Sequence, residues 1–220
     1  MQILAMLTML IDHIGFIFFP DLDLLRVIGR IAFPLYAYGI ALGYRRTRNV
    51  RRYLFRLAAL AGISQIPYMI AFQWERINVI GTFAACLIVM MLLDRFKGNG
   101  PAAAIVGLAG AALLEWLPFE YGAYCLALVL MFRYVPRDYW LLVHGGLNVV
   151  YFVYHGWWVQ LFSIIPTMLV VLGGSWLEKW DRKRVPRWLW LSFYPGHLAL
   201  LALAGFWWYG EDYGVLPWEL

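Results

Sequence analysis

Three ionisable side chains lie inside apolar stretches of this chain, where a charge is costly. Asp12 and His13 interrupt the stretch MQILAMLTMLIDHIGFIFF, and Arg30 stands at the start of GRIAFPLYAYGIALGY. A charge at the centre of a membrane costs about 2.5 kcal/mol or more, so such groups are expected to face one another or a wet cavity. We therefore expect the chemistry of this protein at these three residues.

His13 is the candidate general base, because imidazole ordinarily titrates near neutrality. Asp12 and His13 are consecutive and so point about 100° apart around a helix. In one arrangement His13 faces a cavity while Asp12 packs against a neighbouring helix or against Arg30; in another, a carboxylate from elsewhere orients the ring. Arg30 could hold a phosphate or carboxylate, or neutralise Asp12. The alternative to a catalytic site is a polar cluster that only fixes helix packing.

The elements that position these residues are predicted to be membrane helices. Hydrophobic residues make up 63% of the chain and charged residues 14%, which excludes an ordinary soluble domain. Runs of spanning length predict an all-α, polytopic bundle of about nine transmembrane helices. Their predicted ranges are 3–19, 25–44, 54–72, 77–94, 101–117, 121–134, 139–155, 158–177 and 188–209. Pro34 predicts a kink in the second helix. We expect a single domain, residues 1–220.

Charge in the connections predicts the orientation of the bundle. Every basic cluster follows an even-numbered predicted helix, and the other connections are mainly acidic, as is the tail with Glu211, Asp212 and Glu219. The positive-inside rule then places the amino terminus in the cytoplasm and the carboxyl terminus outside. The main basic clusters are Arg45, Arg46, Arg48, Arg51, Arg52 and Arg56, and then Lys179, Arg182, Lys183, Arg184 and Arg187.

The first basic cluster has two interpretations. The favoured one is topology together with contact to anionic membrane lipid. The other is a site for the phosphates of a nucleotide-bearing acyl donor, although no glycine-rich phosphate loop accompanies it. A net charge of +5 is not taken as a sign of a nucleic-acid partner, because no base-reading module surrounds these residues. Cys86 and Cys125 lie in apolar runs, and we expect neither a disulfide nor a metal site from them.

A second intramembrane histidine stands in the last predicted helix. His197 follows Pro195 and Gly196, which loosen the backbone and permit close approach. Two intramembrane histidines favour proton or acyl chemistry, and a structural role for His197 is equally open. The sequence contains no GxSxG, HExxH, CxxC or Walker pattern, so serine-hydrolase, zinc-protease, thiol-redox and P-loop functions have no support.

Several blocks of the sequence resemble the TraX family, which is named for a conjugal-transfer protein that acetylates the amino terminus of pilin. They are LAMLTMLIDHIG, GRIAFPLYAYGIALGYRRTRN, RYLFRLAALAGISQIPY, INVIGTF, EYGAYCLALVLMFRY and YPGHLALLAL, in that order. The resemblance extends over nearly the whole chain. IDHIG, GRIAFPLYAY and YPGHL are its most specific parts.

The resemblance implies kinship with transmembrane acyltransferases of the bacterial inner membrane, with acetyl-CoA as acyl donor. It implies that Asp12 and His13 are the catalytic pair, that Arg30 stabilises charge or contacts the donor, and that His197 is a further polar contributor. Further candidates fall in the matching blocks: Tyr194, Asn78, Glu120 and Tyr121. The donor's phosphates would meet Arg45, Arg46, Arg52 and Arg56.

The leading function is therefore transfer of an acetyl group from cytoplasmic acetyl-CoA to an amine or hydroxyl at the outer face. The expected acceptor is an extracytoplasmic protein amino terminus, and O-acetylation of a surface glycan or lipid is the second possibility. A transporter or permease that uses Asp12, His13 and Arg30 to bind substrate is a third, and a structural assembly factor a fourth.

Overall fold

The structure is a computed structural model that describes residues 1–173, 185–210 and 213. Within these residues the fold is all-helical without strands, and one isolated β-bridge pairs Ile77 with Phe119. The predictions that concern Lys179 to Arg184 and the acidic tail lie outside the described residues.

Ten α-helices occur in the described part of the chain. They are α1 (Gln2–Phe18), α2 (Asp23–Gly29), α3 (Ala32–Arg46), α4 (Val50–Phe72), α5 (Val79–Arg95), α6 (Gly100–Trp116), α7 (Gly122–Tyr134), α8 (Trp140–His155), α9 (Ile164–Leu172) and α10 (Arg187–Tyr209). Short 3₁₀ segments precede α8 at Arg137–Tyr139 and α9 at Trp158–Ser163.

The second predicted helix is divided into α2 and α3 by a turn at Arg30 and Ile31. Pro34 has no N–H and therefore cannot donate to the carbonyl of Arg30 four residues earlier. The predicted interruption thus occurs one helical turn before the proline. The eighth predicted helix begins as a 3₁₀ segment, and α9 ends at Leu172; residues 174–177 of that prediction lie outside the described part of the chain.

Three helical segments are long and apolar enough to cross a membrane: Asp23–Arg46, Val50–Phe72 and Arg187–Tyr209. Other apolar helices, such as α1 and α6, have 17 residues each. The structure therefore supports a membrane protein with three candidate spans, whereas a bundle of nine spans stays a prediction. Large apolar side chains also face outward, including Leu108 and Trp116, as lipid contact requires.

Helix α1, which carries Asp12 and His13, is surrounded by other helices. It packs against α2, α3 and α10, and α10 packs along α4. Helix α7 contacts α3, α5, α6 and α8 on the other side of the molecule. The two largest groups of buried apolar residues follow this division, one around α3, α5 and α7 and the other around α1, α4 and α10.

Candidate functional site

A cavity of about 620 Å³ lies between α1, α3, α4, α5 and α10. Its lining includes Arg46 at the end of α3, Arg56 in the second turn of α4 and Arg187 at the start of α10. It also includes His13 from the middle of α1 and Glu120 from the connection between α6 and α7. The cavity therefore joins a cationic end to an end that carries groups able to exchange protons.

The two ends are well separated along α1. Gln2 and His13 both line the cavity, and eleven residues of helix correspond to about 16 Å. The wall between them is apolar and aromatic, and its members include Met9, Tyr36, Leu57, Leu60, Trp190 and Tyr194. The volume and composition are those of a small-molecule site.

The carboxylate of Asp12 is bound by two guanidinium groups. Nη2 of Arg30 donates to Oδ1 and Oδ2 of Asp12 at 2.8 and 3.0 Å. Nη1 of Arg26 lies 3.1 Å from the same Oδ1. Asp12 and Arg30 are each 8% exposed, so this ion pair is buried. Of the arrangements expected from the sequence, the structure has the one in which Asp12 packs against Arg30.

Gly29 permits this close approach of α2 to α1. A Cβ atom at position 29 would lie 2.2 Å from both Cβ and Oδ1 of Asp12. Any larger residue would separate the two helices, and the pairing of Asp12 with Arg30 depends on that separation.

His13 is oriented by His197 rather than by a carboxylate. Nδ1 of His13 lies 2.8 Å from Nε2 of His197, and the two ring planes are inclined by only 15°. Nδ1 of His197 lies 2.6 Å from the backbone oxygen of Phe193. A carbonyl oxygen only accepts, so in the neutral pair the proton of His197 is on Nδ1 and its Nε2 accepts from His13. This assignment leaves the lone pair of His13 on Nε2.

Arg30 lies behind Tyr121. Its Nη1 donates to the hydroxyl of Tyr121 at 3.0 Å and to Oε1 of Gln160 at 3.1 Å. Tyr121 lines the cavity, whereas Arg30 is not among its lining residues in the described chain. Because the Tyr121 oxygen accepts from Arg30, its own proton remains available for a hydrogen bond into the cavity.

Glu120 is fixed by the connection that brings it to α5. Its backbone N–H donates to the carbonyl of Ile77 at 3.0 Å, and Thr82 Oγ1 donates to its carbonyl at 2.9 Å. Its Oε2 accepts from the backbone N–H of Val79 at 2.9 Å. Burial raises the pKa of Glu120 to about 7, because a buried carboxylate loses hydration.

A second buried polar network continues from Gln160 toward α8 and α9. Nε2 of Gln160 lies 3.0 Å from the hydroxyl of Tyr124, which also contacts His144 and Ser163, each at 3.0 Å. Further members are Asn148 and Thr167. Each of these side chains is at most 2% exposed. The network therefore holds Gln160, and through it Arg30, in one geometry.

The residues predicted to bind the donor divide into two groups. Arg46 and Arg56 line the cavity, while Arg45 and Arg52 are not among its described lining residues; all four are exposed. Tyr194 also lines the cavity.

Asn78 lies near this site and is occupied by structural hydrogen bonds. Its Oδ1 accepts from Ile80 and Gly81 at the start of α5, and its Nδ2 donates to Gln65. It is a helix cap in this structure.

Three residues of the site were not predicted from the sequence as site residues. Arg26 precedes Arg30 by one helical turn, and that i,i+4 spacing was the available signal. Arg187 was identified only as part of a basic cluster. Gln160 lies in an apolar sequence with no pattern around it, so only the tertiary structure reveals its contact with Arg30.

Comparison with known proteins identifies relatives of this chain. The family model described as TraX protein matches residues 1–204. The probable fimbrial assembly protein FimC, serogroup H1, of Dichelobacter nodosus is 26% identical over 238 aligned residues, which cover 93% of each chain. Protein TraX of Escherichia coli is 31% identical over 137 residues, which cover 61% of this chain and 53% of that relative, about half its length. No solved structure matches. Because the family model extends over residues 1–204 of 220, the chain belongs to the TraX family.

Proposed function

We propose that this protein is an integral membrane acyltransferase that moves an acetyl group from cytoplasmic acetyl-CoA to an amine at the outer face. The observation that carries the proposal is that one cavity has arginines at one end and His13, Glu120 and Tyr121 at the other. Membership in the TraX family adds support, since that family is associated with pilin acetylation.

The donor would enter from the end that carries Arg46, Arg56 and Arg187. Guanidinium groups bind phosphates well because they are permanently charged and present several N–H donors in a plane. The apolar wall beyond them suits the thin pantetheine arm. A depth of about 16 Å along α1 would leave the nucleotide at the arginines and bring the thioester toward His13. This requires the arginine-lined end and the amino terminus to be cytoplasmic, in the inner membrane.

His13 is the base in this proposal. Its Nε2 carries the lone pair when Nδ1 donates to His197, so it can take a proton from the attacking nitrogen and return it to the departing sulfur. His197 is a positioning residue, because it fixes the tautomer and the plane of His13. Asp12 acts further back and holds Arg30.

Tyr121 is the candidate donor to the oxyanion. Its hydroxyl accepts from the Arg30 guanidinium and keeps a proton for a hydrogen bond to the carbonyl oxygen of the thioester. The cation behind the hydroxyl makes it a stronger donor, as the developing negative charge requires. Arg30 thus stabilises charge through Tyr121 rather than by direct contact.

One relative carries the name of a fimbrial assembly protein, and an exposed amino terminus of a pilus subunit is the acceptor that this name and the family favour. A glycan hydroxyl is the alternative acceptor for the same chemistry.

The test is acetyl transfer from acetyl-CoA to an amine-bearing peptide by detergent-purified protein, with release of coenzyme A as readout. His13→Ala should lose transfer by about 10²-fold or more and retain acetyl-CoA binding. His155→Ala is the matched control, because His155 is exposed, pairs with Glu115, and is not among the described lining residues of the cavity. Full transfer by His13→Ala would refute the mechanism. Wild-type protein that binds no acetyl-CoA but exchanges substrate across liposomes would favour a transporter.

A further inference from the structure

Glu120 has no role in the mechanism above, although it lines the same end of the cavity as His13. Two contacts connect these residues to one site. Tyr121, the next residue, accepts a hydrogen bond from Arg30, and Arg30 holds the carboxylate of Asp12, the neighbour of His13. The cavity therefore presents a carboxylate and an imidazole to whatever occupies this end.

A purely structural role for Glu120 would be to cap α5, because its Oε2 accepts a hydrogen bond from the backbone N–H of Val79. The hydroxyl of Tyr68 also interacts with the Glu120 side chain. Two donors still do not exhaust a carboxylate, which offers about four acceptor positions on two oxygens. The α5 terminus is also capped by Asn78, which accepts from the next two amides. Capping alone therefore does not account for a carboxylate in the cavity wall.

The proposed reaction requires a second proton acceptor in addition to His13. An amine reaches the site mainly as its ammonium ion, since an α-amino group has a pKa of about 7.7 to 8.0. It must lose one proton before it can attack and a second after the C–N bond has formed. A hydroxyl acceptor loses only one. His13 provides for one proton and no more.

We propose that Glu120 is the catalytic residue that removes the first proton from the acceptor ammonium, while His13 handles the second. This rests on the proposed acetyl transfer. The carboxylate takes H⁺ from R–NH₃⁺, and the free amine forms its bond to the thioester carbon. His13 Nε2 then accepts a proton from that nitrogen. As the C–S bond breaks, the thiolate takes this proton and leaves as coenzyme A, and Glu120 releases its proton to water.

The surroundings of Glu120 suit this role. Both guanidiniums nearby, Arg26 and Arg30, are bonded to Asp12. Among the described residues, neither arginine lies within ion-pair distance of Glu120, and Arg30 acts on its carboxylate only at longer range. Burial raises its pKa to about 7, close to that of an amino terminus, which makes proton transfer between the two groups nearly balanced.

Three matched peptide probes test the proposal with acetyl-CoA as donor. They share one apolar sequence and begin with glycyl, aminooxyacetyl or glycolyl, so that the nucleophile is an ammonium, an amine already neutral at pH 7, or a hydroxyl. Glu120→Gln keeps an oxygen for Val79 and loses the ability to accept a proton. We expect it to lower kcat/KM for the glycyl probe by about 10²-fold and to leave the aminooxyacetyl probe close to its wild-type rate.

Glu115→Gln is the control. Glu115 also accepts from a backbone N–H, that of Ala123 at 2.9 Å, and it is not among the described residues of the cavity lining. The Glu115→Gln variant should leave kcat/KM for both amine probes unchanged. The ratio of the two amine rates within one preparation does not depend on the folded fraction, so partial misfolding of Glu120→Gln cannot produce the expected result.

Equal loss of the glycyl and aminooxyacetyl rates in Glu120→Gln would overturn the role of Glu120 and leave the acetyl transfer intact. Wild-type transfer to the glycolyl probe alone would also overturn it, since a hydroxyl acceptor needs no first deprotonation. Wild-type failure with all three probes would instead count against the acyltransferase itself.

Discussion

The close approach of α1 and α2 at Gly29 gives a quantitative prediction for Gly29→Ala. The added Cβ would lie 2.2 Å from Cβ and Oδ1 of Asp12 and 2.4 Å from its Cγ. Ordinary contact begins at 3.4 Å, so the helices must separate locally by 3.4 − 2.2 = 1.2 Å. A shift of this size takes Asp12 out of hydrogen-bond reach of Arg30, which it now contacts at 2.8 Å.

Two costs follow from that separation. Overpacking of a close-packed interior costs about 1 to 3 kcal/mol, and loss of a partner by a buried charge costs about 3 to 5 kcal/mol. Arg26 lies on α2 and moves away from Asp12 together with Arg30. Because both arginine side chains are long and can partly follow Asp12, the second cost is only partly incurred, and we expect a destabilisation of about 2 to 5 kcal/mol. At about 2 to 4 °C per kcal/mol, the Tm should fall by roughly 4 to 20 °C.

The two cysteines make the assay convenient. Cys86 and Cys125 are each 0% exposed and are not joined by a disulfide, so a thiol-reactive fluorophore labels them only as the protein unfolds in detergent. Gly62→Ala is the control, since a Cβ at that helical position meets nothing within 4 Å. It should be neutral or stabilising by up to about 1 kcal/mol, the helix-propensity gain of alanine over glycine. Equal Tm values for the two variants would refute the argument from close approach.

Three further predictions concern the cavity and its support. Arg187→Ala should weaken acetyl-CoA binding measured by calorimetry. Arg52→Ala should leave that binding unchanged, because Arg52 is exposed and is not among the described cavity residues. Equal Kd values for the two variants would count against the cationic end as the donor site. Tyr121→Phe should lower kcat by about 10- to 10³-fold with little effect on donor binding, because it removes the hydroxyl that is the proposed oxyanion donor, while Arg30 keeps its bonds to Asp12 and Gln160. An unchanged kcat would exclude that role. Gln160→Leu removes an acceptor from Arg30 and a donor to Tyr124, and it should lower stability by about 1 to 3 kcal/mol, whereas a neutral effect in thermal unfolding would show that the buried network does not depend on Gln160.

Much of the helical framework could be predicted from the sequence, because membrane-helix length and hydrophobicity are local properties. The boundary of the last helix, 188–209, differs from α10 by one residue. The division of α2 from α3 was less predictable in position, since Pro34 acts on a carbonyl one turn earlier. Three helical segments are long and apolar enough to cross a membrane, and the bundle of nine spans stays a prediction.

The sequence by itself determined that Asp12, His13, Arg30 and His197 are costly in an apolar chain and need partners, because the desolvation of a polar group depends on its type and its apolar neighbours. Only the tertiary structure decided which partners they have. Asp12 pairs with Arg30 and His13 with His197, a contact between residues 184 positions apart that no periodicity encodes. Arg187 lines the cavity, whereas Arg45 and Arg52 are not among its described lining residues. The sequence does not show this difference, because it depends on how α3, α4 and α10 pack against one another.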